Sequence, residues 1–130
     1  MPDKDSLYPV DWIRIAEKDW KRVRQLVDLD DADAAGFFLQ QSIEKFLKAF
    51  LLSNGWQLKR IHDLEPLLNE SLPFDSALEQ YRAIVQKISA FYFIERYPLV
   101  TETGITEEDV KEAFIEVQGL VDIIKSKFNL

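Results

Sequence analysis

Apolar residues along this chain recur at spacings of three and four, and no stretch alternates as a half-buried strand would. Trp12, Ala16, Trp20, Val23 and Val27 carry the first such run and predict a helix from about Val10 to Asp28. The next run, Ala34 to Leu52, predicts a helix of about five turns. Leu39, Ile43, Phe46, Leu47 and Phe50 fall on one side of it. Gln40, Gln41, Glu44, Lys45 and Lys48 fall on the other, but only through the middle. Phe37, Phe38, Leu51 and Leu52 make both ends apolar all round. A helix of this kind needs neighbours on most of its surface, so the remaining elements are expected to pack around it.

Those elements follow in order. A brief helix is expected near Leu64 to Asn69, with Asp63 as its cap, and Leu72-Pro73-Phe74-Asp75 breaks it. A fourth helix spans about Ser76 to Arg96, with Leu78, Tyr81, Val85, Ile88, Phe91 and Tyr92 as its inner stripe. Pro98 disfavours the α conformation at Tyr97 and ends it. Thr106 to Asp109 reads as a capping box, with Asp in the usual Glu position, opening a fifth helix. Val110, Ala113, Phe114, Val117, Leu120, Val121, Ile124 and Phe128 form that helix's seam. The carboxylates of Asp28 to Asp33 suit the amino end of the central helix, and Asn54-Gly55 suits a left-handed stop at its other end. The fold class is therefore all-α: an antiparallel up-and-down bundle of four long helices plus one short helix, as a single domain over residues 1–130.

Composition sharpens this without redirecting it. At 130 residues, 47% hydrophobic and 30% charged, the chain has enough apolar mass for one core and enough charge for a water-facing surface. No apolar run approaches the roughly 20 residues that cross a bilayer, so no membrane association is expected. The polar, acidic amino end is unlike a signal peptide, and a cytoplasmic protein is the expectation. Cysteine is absent, which removes disulfides and thiolate chemistry. A net charge of −7 argues against general DNA binding, since phosphate neutralisation supplies most sequence-independent affinity. A small local cationic site, or one assembled across a dimer, is still compatible.

Few residues offer chemistry. One histidine and no Glu-x-x-His repeat exclude a bundle di-iron site. Asp31, Asp33 and Gly36 imitate the start of a calcium loop, but position twelve is Ser42 in place of the bidentate carboxylate, so no metal is expected. No glycine-rich loop cradles a phosphate, and no cofactor is implied. His62, beside Asp63 at a helix entry, either braces that helix or serves as an acid–base group. Arg96, at a helix carboxyl end beside Tyr97, either answers the helix dipole or clamps a phosphate. On the central helix, Glu44 and Lys48 have the spacing of a surface ion pair. The alternative is that Gln41, Glu44, Lys45 and Lys48 line a groove or dimer seam, where Lys45 and Lys48 meet an anionic ligand.

Four pieces stand in order along the chain: Ala16-Glu17-x-Asp19-Trp20, then Gln40-Gln41-Ser42-Ile43-Glu44-Lys45-Phe46-Leu47-Lys48-Ala49, then His62-Asp63-Leu64, and finally Arg96-Tyr97-Pro98. Together they resemble a HEPN domain (higher eukaryotes and prokaryotes nucleotide-binding). The resemblance implies a prokaryotic helical homodimer working beside a minimal nucleotidyltransferase in a toxin–antitoxin-like pair, with a nucleotide or RNA as ligand. Many relatives are metal-independent ribonucleases in which four to six residues separate an arginine from a following histidine. Here Thr101, Glu102 and Thr103 occupy that window after Arg96. The resemblance thus favours a protein without that catalysis. The alternative is a ribonuclease with a degenerate site centred on Arg96, with His62 as the remaining imidazole.

Overall fold

The computed structural model describes residues 6–96 and 105–129, with the backbone alone for 93–96. Five α-helices and one 3-10 helix make up the described chain, with no strand among the described residues. They are α1 (Pro9–Asp28), α2 (Ala32–Ser53), α3 (Leu64–Ser71), a 3-10 helix (Ser76–Tyr81), α4 (Arg82–Arg96) and α5 (Glu107–Ser126). The predicted fourth helix thus divides. Its first six residues wind as 3-10, entered where the Asp75 carboxylate accepts the Ala77 N–H at 3.0 Å. A tighter turn of this kind is common at helix ends, where orphan N–H groups need partners.

The helix ends follow local chemistry. Pro9 sits in the first turn of α1, where its missing N–H costs nothing. α1 stops in a left-handed residue, Asp30 at φ 58, with Asp31 N–H returning to Leu26 C=O at 2.9 Å and Asp30 N–H to Val27 C=O at 3.1 Å. Asp31 then caps α2 by accepting the Ala34 N–H at 3.3 Å. α2 ends in the same motif with Gly55 at φ 86, Trp56 N–H reaching Leu51 C=O at 3.0 Å. Both halves of the Thr106–Asp109 capping box are formed. At α3 the expectation needs correction: Asp63 occupies the N-cap position but its side chain makes no cap hydrogen bond.

α2 is the centre, touching each of the other four α-helices. Leu39, Ile43, Phe46, Leu47 and Phe50 are essentially without solvent exposure. Contacts between α1 and α2 join Trp12 with Lys48, Ala16 with Ser42, Asp19 with Lys45, and Arg22 with Phe38. From Trp12–Lys48 at one end to Arg22–Phe38 at the other, the numbers run in opposite senses, so the pair is antiparallel. Phe37 with Tyr92 on α4, and Phe50 with Phe74 just ahead of the 3-10 helix, give the same sense for α2 and the run through α4, and Trp20 with Phe114 and Glu17 with Lys125 for α1 and α5. The result is the expected up-and-down bundle, with α3 packed against α2, α4 and the 3-10 helix. Gly36 marks a close approach on α2: a Cβ there would lie 2.9 Å from Ile105 Cδ1 and 3.2 Å from Phe91 Cβ.

Candidate functional site

The antiparallel pairing lays one flank of α1 beside the polar strip of α2 and forms two clusters along it. In the first, the Asp19 carboxylate, 2% exposed, accepts from Lys45 Nζ at 2.6 Å and from Arg22 Nη1 at 3.3 Å. A buried carboxylate is tolerable only with partners of this kind. The Arg22 guanidinium also lies 5.2 Å from the Phe38 ring centre, a cation–π distance. Above this cluster opens a groove of about 450 Å³ between α1 and α2. Four cations line it, Arg14, Lys18, Arg22 and Lys45, against two carboxylates, Asp11 and Asp19. Phe37 and Phe38 supply apolar wall and Gln41 an amide. On a chain of net charge −7, this is a locally positive hollow.

The second cluster lies one turn further along α2 and is closed. Lys48 Nζ meets Glu44 Oε2 at 2.9 Å, with both side chains only 4% exposed. The ammonium lies 5.3 Å from the Trp12 ring. The expected surface pair is therefore a core pair, because α1 covers the strip at Trp12. Glu44 Oε2 also faces His62 Nδ1 at 3.3 Å. This contact is a hydrogen bond in the tautomer that places the proton on Nδ1. Gln40 Nε2 donates to the His62 C=O at 3.0 Å, and Gln41 Nε2 donates to Gln40 Oε1 at 2.6 Å. These contacts pin the connector before α3 to α2, while the imidazole side chain stays 68% exposed. Glu44 Oε1 is buried with no hydrogen-bond partner among the described residues.

The residues singled out from sequence therefore separate. Lys45 reaches the groove, whereas Lys48 is sealed beneath Trp12 with Glu44. His62 joins Glu44 and Gln40. Arg96 is the last residue of α4, one turn beyond Tyr92, whose ring stacks on Phe37 at 5.7 Å. The Arg96 side chain and the whole of Tyr97 lie outside the described residues. Sequence reasoning missed Arg14, Lys18 and Arg22 as a group. Their signal was present: three cations at successive turns of one helix. No cluster able to hold a metal ion occurs among the described residues, and no helix among them is long and apolar enough to cross a membrane.

Fold and site together define a class, a small antiparallel helical bundle whose central helix carries a half-buried polar strip. The HEPN domain model matches residues 10–127, and the chain belongs to the HEPN domain family. It is similar in structure to TT1696 from Thermus thermophilus, with a TM-score of 0.80 and 26% identity over 92% of this chain and 97% of that one. It is also similar to ST0689, an archaeal HEPN homologue, with a TM-score of 0.74 and 26% identity over the same shares of each chain. No curated protein matches it.

Proposed function

We propose that this HEPN protein works by binding: a homodimer that docks on a minimal nucleotidyltransferase partner in a prokaryotic toxin–antitoxin-like system, with a nucleotide held at the junction. The observation that carries this reading is the fate of the family-like residues. Gln40, Glu44 and Lys48 are committed to the interior, and no histidine follows Arg96 at the spacing a family-type ribonuclease requires. Without an imidazole at that spacing, the sequence lacks the acid–base partner that a family-type ribonuclease pairs with its arginine. Binding then regulates the partner by covering or exposing its nucleotide site. The test is co-expression with a nucleotidyltransferase encoded beside this chain, followed by affinity capture and sizing. A stable complex is expected; a chain that stays alone at micromolar concentration contradicts the reading.

One observation favours ribonuclease activity as a second reading. Glu44 orients the exposed His62 imidazole, and a carboxylate–imidazole couple is a working acid–base unit. Incubation of the purified protein with RNA separates the two. Intact RNA supports the binding role, and cleavage lost in both His62→Ala and Arg96→Ala supports the enzyme.

A further inference from the structure

We propose that the groove between α1 and α2 binds a short run of linked phosphates, the chemistry shared by inorganic triphosphate and nucleoside triphosphates. The starting point is a row of like charges. Arg14, Lys18 and Arg22 occupy successive turns of α1, so neighbours stand about 6 Å apart along the axis and the row spans about 12 Å. Lys45 joins it from α2. Like charges at this spacing weaken a helix, and packing alone gives no reason for three of them on an acidic protein.

The acidic residues beside the row leave it undersupplied. Asp11 meets Arg14 only at 3.9 Å and is already bonded to the Ser6 hydroxyl at 2.7 Å. Asp19 divides one negative charge between Lys45 and Arg22. Lys18 has no ion pair among the described residues. Because Asp19 is buried, it also fixes where its two cations stand, which lowers the ordering cost when an anion arrives. A guanidinium held in place, as that of Arg22 is, favours phosphate oxygens, which accept two donors at once. A lone carboxylate would engage only part of the row. The hollow has the volume of a small-ligand site. Phe37 and Phe38 offer a wall for whatever body the phosphates carry, so a nucleoside triphosphate is expected to bind somewhat tighter than triphosphate alone.

The nucleotide of the preceding reading gains a seat here, yet that reading fails or stands by capture of a partner and this one by calorimetry. The experiment titrates the full-length protein at low salt with sodium triphosphate, ATP, adenosine and a short single-stranded RNA. Both phosphates are expected to bind with one-to-one stoichiometry, adenosine to give no heat, and affinity to fall as salt rises. Double reversal, Arg14→Glu with Lys18→Glu, touches two exposed side chains, so the melting curve should hold while affinity drops about tenfold or more. Lys111→Glu, on α5, should leave binding unchanged. The proposal is overturned if neither phosphate binds, if only RNA binds, if binding survives the double reversal, or if Lys111→Glu is equally damaging.

Discussion

Two ammonium groups one turn apart on α2 meet opposite fates. Lys48 is sealed with Glu44 under Trp12, and Lys45 stands at the rim of an open groove with Asp19 behind it. The helix, the residue type and the acidic partner are alike; the covering is not. At the closed end α1 presents Trp12, and at the open end it presents Lys18 and Arg22, which let water in. A charge in the closed cluster serves the fold because nothing else can reach it. A charge in the open cluster stays available, since its carboxylate is shared. Position along one helix thus divides a single family-like run of residues into scaffold and candidate binding surface.

The largest expected effect lies at the closed end. Lys48→Ala strands a buried carboxylate that already has one unpartnered oxygen, and should cost about 3–5 kcal/mol in denaturant unfolding. Replacing both partners, Glu44→Leu with Lys48→Met, should recover most of that loss, because two apolar side chains need no pairing. If the single variant proves harmless, the two clusters do not differ as described. Lys45→Ala should cost less, about 1–2 kcal/mol, since Asp19 keeps Arg22 as a donor. Removing the exposed Lys18 should change unfolding free energy by no more than about 0.5 kcal/mol.

The smallest effect is a pH dependence at the turn between α1 and α2. Asp30, in its left-handed conformation, hydrogen-bonds Glu107 and raises the Glu107 carboxyl above its usual value, with like-charge repulsion adding to the shift. A raised carboxyl favours the folded state below its unfolded pKa, and that benefit is lost as pH climbs through the raised value. Asp30→Asn should therefore melt higher than the natural sequence at pH 7, with the gap closing on acidification. Glu65, Glu70 and Asp109 shift the other way. Hydrogen bonds from Gln86 and Arg82, from Lys59 and Trp56, and from Thr106 respectively lower them. Their contribution is present above the ordinary carboxylate range and is lost as pH falls through the lowered values. Parallel melting curves at pH 7 and pH 4 check both signs.

The bundle was legible because periodicity reports burial directly. The greasy circumference of α2, the Thr106 capping box and the stop at Gly55 all required only local chemistry to read. The 3-10 start of the fourth helix was not, since Leu78 and Tyr81 keep inward spacing in either winding. The site was half legible. Gln40, Glu44, Lys45 and Lys48 stood out as a polar strip, but whether a strip is roofed depends on the facing helix. Trp12 over Lys48 and Lys18 beside Lys45 are facts of register between α1 and α2, which neither helix carries alone. The cation row on α1 was visible as spacing, and became meaningful only when Asp19 proved to be buried.

The division of α2 is tested most directly by thermal melting of Lys45→Met and Lys48→Met, each with and without millimolar sodium triphosphate. A ligand that binds only the folded state raises its midpoint. Lys48→Met should melt far below the natural protein yet keep the triphosphate shift, whereas Lys45→Met should melt near it and lose most of the shift. The reverse pattern, or equal shifts in both variants, would contradict the assignment of one lysine to the fold and the other to the groove.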